Sequence, residues 1–163
     1  MHFNNERWAA QALGMSVNPS NGPDLIDDQK VVEVKFKLAH SERYTNLSWR
    51  VLGHQKDYGN LKEAYWALGT YTLDREIASI KNSTHIKSLE RMATNRELFI
   101  VDWDWMNQFQ EYRESGKTEM SQWDQILIFP KGRLLPATKK TYQVTGGIVH
   151  ITQGINPERF SMK

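Results

Sequence analysis

Residues 31–38 alternate between two kinds of side chain: Val32, Val34, Phe36 and Leu38 fall on one face of an extended chain, and Val31, Glu33, Lys35 and Lys37 on the other. The pattern predicts a strand with one apolar face and one charged face. Upstream, Asn4 or Asn5 is placed to cap a helix running through Leu13, with Glu6 in the favourable first turn and Gly14 at the stop. Trp8, Ala9, Ala12 and Leu13 supply its buried side. Residues 18–23 are dense in Asn, Pro, Ser and Gly and form turns rather than regular structure. They deliver the chain to a short strand at 24–27 and a tight turn at Asp28 and Gln29.

Further along, residues 47–52 read as a third strand and 53–58 as the start of a short helix ending near Gly59. Residues 65–73 combine tyrosine, tryptophan and threonine in a segment of high strand propensity. Ile77, Ile80, Leu89 and Met92 predict helical material between Arg75 and Ala93, broken near Asn82 and Ser83. A buried strand follows at 97–103, then a helix over 105–112, then an apolar strand at 126–129. Residues 142–145 and 148–152 form a hairpin joined by Gly146 and Gly147, since paired glycines suit the positive dihedrals of a two-residue turn. This order predicts an α/β or α+β domain with a mixed central sheet flanked by helices. One domain spans residues 1–163, with 115–163 as a C-terminal elaboration of it.

Composition narrows the chemistry. The chain has 163 residues and no cysteine, which excludes disulfides, thiolate metal sites and thiol nucleophiles. No apolar run is long enough to span a membrane, and the N-terminus lacks a secretory pattern, so a cytoplasmic protein is expected. The net charge of +2 permits nucleic-acid binding without demanding it. Basic residues concentrate late, at Lys131, Arg133, Lys139 and Lys140, with no acidic residue until Glu158. That stretch is either a solvated loop or a nucleic-acid contact.

The informative segment is 23–35. Two strands joined by a tight turn set Asp24 on the first, and Glu33 and Lys35 on one face of the second. An acid and a base alternating with valines inside a strand require an explanation, and a bound cation supplies one. Mg²⁺ takes hard oxygen ligands, usually one or two carboxylates with water and substrate phosphate oxygens. Phosphodiester hydrolysis needs an activated water, neutralised phosphate charge and a stabilised leaving oxygen, all of which a metal provides. Lys35 points at the same reacting centre, to orient or deprotonate the nucleophile or to stabilise the pentavalent state.

The motif resembles that of the PD-(D/E)xK nuclease superfamily, which includes restriction enzymes, homing endonucleases and archaeal Holliday-junction resolvases. The resemblance covers residues 4–58. It implies a restriction-endonuclease-like core with Asp24 and Glu33 as metal ligands, the Val34 carbonyl facing the metal, and Lys35 as the catalytic lysine. Glu6 resembles the helical glutamate that many members place near the metal. Gln55 resembles a glutamine of several subfamilies, although Tyr58 stands three residues after it where one subfamily has tyrosine at four. Mg²⁺, with Mn²⁺ as a substitute, is the implied cofactor. Double-stranded DNA is the implied substrate, cut by a homodimer or higher homo-oligomer.

Within that family the expectation is a site-specific homing or restriction-type endonuclease; a junction resolvase and a non-catalytic nucleic-acid-binding module with the same fold are the alternatives. Asp27 lies on the opposite face from Asp24 and reads as a turn cap. His40, His54, His85 and His150 lack metal-ligand spacing and read as surface or DNA-contact residues. Trp103 and Trp105 read as packing groups, and Asp104 as a helix cap beside Glu97 and Asp102. No nucleophile elbow, phosphate loop or dinucleotide fingerprint occurs.

Overall fold

The Asn4 side chain accepts the Arg7 backbone N–H at 2.8 Å and opens helix α1, Asn5–Leu13. Gly14, in the left-handed region at φ 67°, closes it. A computed structural model describes residues 4–20, 22–39, 46–52, 63–73, 92–103, 110–112, 124–130, 135 and 138–162, with 46–52, 110–112 and 124–130 described by their backbone only. Trp8, Ala9, Ala10, Ala12 and Leu13 are buried. Three alanines let this helix lie close against the sheet below. It is the one α-helix described along its length, and among the described residues no helix is long and apolar enough to cross a membrane.

Among the described residues, ten strands make two sheets. In chain order they are β1 (Ser16–Val17), β2 (Leu25–Ile26), β3 (Lys30–Leu38), β4 (Asn46–Leu52), β5 (Glu63–Thr72), β6 (Asn95–Asp102), β7 (Gln110–Tyr112), β8 (Asp124–Pro130), β9 (Thr138–Val144) and β10 (Gly147–Thr152). The larger sheet runs β1-β2-β3-β5-β6-β10-β9, and the smaller runs β4-β8-β7. β3 pairs in parallel with β5, and β6 with β10, while the other neighbours are antiparallel. The protein is therefore a mixed α+β molecule. The last third of the chain is divided, with β8 in the smaller sheet and β9 and β10 completing the larger one.

The apolar face of β3 turns to the core as the pattern predicts, but burial does not alternate along the strand: residues 30–33 are all buried and 34–38 all half-buried. Val32 is fully buried, and Val34 and Phe36 pack on the core formed by Trp8, Leu13, Leu25, Tyr65, Leu98, Ile100, Val149 and Ile151. The opposite face is buried too. Trp66 stacks on Trp103 with ring centres 4.6 Å apart, and Leu68, Phe99 and Val101 have no exposed surface. Burial on both faces suits a strand such as β5, where every residue from Ala64 to Tyr71 is buried and the parallel pairing with β3 lies. Trp103 is thereby a packing group, as its sequence context indicates.

Several local expectations need correction. The hairpin turn is Thr145 and Gly146, with φ 79° at Gly146, whereas Gly147 is the first residue of β10 and has no positive φ. Gly147 is required for close approach instead: a Cβ there would come 2.3 Å from the Arg96 carbonyl oxygen and 2.6 Å from the Trp8 ring. Residues 110–112 form strand β7 rather than the end of a helix, because they pair with β8. Residues 18–20, 22 and 23 form no regular structure, as expected, and β1 forms just before them through pairing with β2. Lys139 and Lys140 lie in strand β9 and not in a loop. The helices expected over 53–59, most of 75–93 and 105–109 lie outside the described residues.

Candidate metal centre

The β2–β3 register pairs Leu25 with Val32 and Ile26 with Val31, so one further residue sets Asp24 opposite Glu33. The turn-rich approach is pinned by Asn18. Its backbone N–H donates to the Asp24 carbonyl at 2.8 Å, and its side-chain amide donates to the Pro23 carbonyl at 2.9 Å. On the other side, the Asp24 carboxylate accepts the Val34 backbone N–H at 2.8 Å. That bond occupies a donor which lies beyond the end of the β2 pairing. In an extended strand a residue's N–H and C=O share an edge, so the Val34 carbonyl lies along the same edge as Asp24.

Glu33 is only 5% exposed. Burial pushes its carboxyl up to about 8, and the hydrogen bond with Asp24 and the charge of Asp24 act in the same direction. The Lys35 ammonium opposes that rise, and Glu6 adds a smaller upward push. Asp24, Glu33, Lys35 and Glu6 thus form one electrostatic group, drawn from β3, the lead-in to β2 and α1. Two carboxylates this close in a buried setting share a proton or a cation. Among the described residues, no three His, Cys, Asp or Glu side chains converge as an all-protein metal cage. The donor set suits Mg²⁺, which is held through one or two carboxylates and keeps its remaining positions for water and phosphate oxygens.

No family model, curated protein or solved structure matches the chain.

Neighbouring acids have other duties. Asp27 Oδ1 accepts the backbone N–H of Gln29 at 2.9 Å and of Lys30 at 2.8 Å, and Oδ2 pairs with the Lys30 ammonium. Burial alone would raise its pKa. The Lys30 hydrogen bond and the two backbone N–H groups outweigh that and hold the carboxyl below the usual range. Asp27 is the cap of the β2–β3 turn, and Asp28 is exposed.

The structure does not bring Lys139 and Lys140 to the carboxylates. Lys139 and Lys140 are exposed on β9, at the far edge of the sheet, and Lys140 lies 5.0 Å from the Tyr142 ring centre. Four strand spacings separate β9 from β3, roughly 19 Å along the sheet. Gln55, Lys131 and Arg133 lie outside the described residues.

His150 is a correction. It is 6% exposed, stacked on Phe99 with ring centres 4.5 Å apart, so it is neither a surface residue nor placed to contact DNA. Nε2 meets the Glu97 carboxylate at 2.8 Å and Nδ1 meets the Thr141 hydroxyl at 3.1 Å. Glu97 is 53 residues away in sequence, so no local spacing signals the contact. Its flanking core residues, Val149 and Ile151, do place the imidazole on the opposite sheet face.

Proposed function

We propose that this chain is a magnesium-dependent DNA endonuclease with a restriction-endonuclease-like catalytic core, acting in the cytoplasm as a homodimer or higher homo-oligomer. The observation that carries the proposal is the buried Glu33 carboxylate held against Asp24, with Lys35 two residues on along the same strand face. Asp24 and Glu33 would hold the cation, with the Val34 carbonyl on the same edge, and Glu6 close enough to act through water. Bound there, Mg²⁺ supplies Lewis acidity toward the phosphate and lowers the energy of water's ionised form.

The chain's own residues do the rest. The Val34 N–H fixes the Asp24 carboxylate, so its orientation does not depend on the cation. Lys35 carries a positive charge beside the carboxylates, where it stabilises negative charge building on a phosphoryl oxygen and orients the attacking water. The apolar wall of Val31, Trp66 and Leu68 limits the water around Glu33, which strengthens every charge interaction at the site. A double-strand cut needs two such sites, which a symmetric oligomer provides.

Purified protein incubated with Mg²⁺ and, in parallel, supercoiled plasmid, a four-way junction and single-stranded DNA tests the proposal. Cleavage of plasmid or linear duplex at defined positions is expected. Asp24→Asn removes charge without volume and should abolish cleavage while leaving DNA binding nearly intact. Full activity in that variant, or in excess chelator, rules the assignment out. Strong junction preference without sequence preference identifies a resolvase, and binding without any cleavage identifies a non-catalytic module.

A further inference from the structure

After β10 the chain turns back over the half of the molecule that carries the carboxylates. Ile155 and Phe160 enter the core, and Met162 packs against it. The Phe160 ring meets Tyr65 of β5 edge-on, with ring centres 5.3 Å apart. The Lys30 ammonium, already paired with the turn-capping Asp27, lies 5.1 Å from the centre of the Phe160 ring. Arg159 forms an ion pair with Glu63 at 2.9 Å and reaches Gln29 Oε1 at 3.5 Å. Ser161 sits against Gly14, where a Cβ would come 2.8 Å from it. One short segment therefore touches the start of β5, the turn between β2 and β3, and the closing cap of α1.

Those are the elements that present the candidate ligands. β2 is two residues long and joins β3 through two residue pairs, too few to hold a carboxylate at a set distance by themselves. Asn18 holds the lead-in and the Val34 N–H holds the Asp24 carboxylate, and residues 155–162 hold the rest of the hairpin from outside: the Phe160 ring lies against the Lys30 ammonium, and Arg159 ties the turn tip at Gln29 to Glu63.

We infer that the C-terminal segment is a clasp, with Arg159 and Phe160 as positioning residues that set the affinity of the carboxylate site for a divalent cation. The inference rests on the metal reading of Asp24 and Glu33 and deepens it. Groups that orient ligands without touching the metal commonly tune affinity by an order of magnitude or more.

The test is isothermal titration of the full chain with Mn²⁺ alone, at a temperature where circular dichroism shows every variant folded. Arg159→Gln changes an exposed residue and leaves the core intact. Phe160→Leu keeps most of the buried volume. Each should weaken Mn²⁺ binding by about threefold to tenfold. Arg159→Lys, which keeps the charge facing Glu63, should restore affinity to within about twofold of wild type. Val149→Ala weakens the same core from β10, two strands from β5, and should leave Mn²⁺ affinity unchanged, a result that general destabilisation cannot mimic. Wild-type protein that binds Mn²⁺ with the same affinity as Arg159→Gln and Phe160→Leu overturns the clasp alone. An equal loss of affinity in Val149→Ala also overturns it. Wild-type protein that binds no Mn²⁺ overturns the clasp together with the metal centre beneath it.

Discussion

Glu33 is held in a setting that penalises its charge, and this has a measurable consequence in metal-free protein. Its carboxyl is raised from the ordinary glutamate value of 4.5 to about 8, by burial first and then by Asp24. The folded state therefore binds a proton that the unfolded state has released. Stability from this group is fully present below pH 4.5 and is lost as pH rises through about 8. Denaturant unfolding in chelator should show that decline. Glu33→Gln, which cannot ionise, should flatten it and raise stability at pH 8 by on the order of 1–3 kcal/mol. Mg²⁺ should restore the wild-type protein at pH 8 and leave Glu33→Gln unaffected. Parallel pH curves for the two proteins would mean that burial does not raise the Glu33 carboxyl. The same scale separates Asp24 from Asp27: one accepts a single backbone N–H at a strand edge, and the other is enclosed by two backbone donors and a lysine.

Elements in this protein are joined by a few close contacts that small residues make possible. The indole N–H of Trp8 on α1 donates to the Thr145 carbonyl at 3.0 Å, and Arg96 lies 5.7 Å from the Trp8 ring while its Nε donates to Asn5 at 3.0 Å. Helix, β6 and the β9–β10 hairpin meet at that point. Gly147 sits in the middle of it, so Gly147→Ala forces a Cβ against the Arg96 backbone and should destabilise the fold by about 2–3 kcal/mol. Gly154 provides the contrast. Its φ of 91° resists a side chain, but nothing lies within 4 Å of a Cβ there, so Gly154→Ala should cost about 1 kcal/mol from backbone strain alone. Thermal unfolding of both variants decides the matter, and equal losses would mean that the close approach at Gly147 contributes nothing.

Across the whole molecule, the carboxylate site and the exposed lysines of β9 stand at different ends of one sheet. If Lys139 and Lys140 contact phosphates, they do so away from the proposed catalytic carboxylates. Lys139→Gln and Lys140→Gln should each lower the salt dependence of DNA binding by roughly one ion and weaken binding on all sequences alike. The cleavage rate at saturating DNA should be unchanged. A slope identical to wild type for both variants returns β9 to a solvated edge strand, where lysines discourage unwanted pairing. A fall in the saturated cleavage rate would place them nearer the chemistry than the strand order allows.

Features with local causes were legible from the sequence: the α1 boundaries follow from the Asn4 cap and Gly14, and the β3 faces follow from strict alternation of apolar and charged residues. The likeness of residues 23–35 to a metal-binding motif was legible for the same reason, since Asp24, Glu33 and Lys35 lie within one hairpin. Tertiary structure alone assigned β4 to a second sheet, paired β1 with β2 and moved the hairpin turn to Thr145 and Gly146. It also buried His150 between Glu97 and Thr141 and brought residues 155–162 back to the β2–β3 turn. Above all it buried Glu33. A strand with a charged face reads as half-solvated from its own residues, whereas Trp66, the register partner of Glu33 on β5, lies on that same face and is itself stacked on Trp103. The alternation that placed the carboxylate is local, but its proton affinity depends on neighbours that only folding assembles.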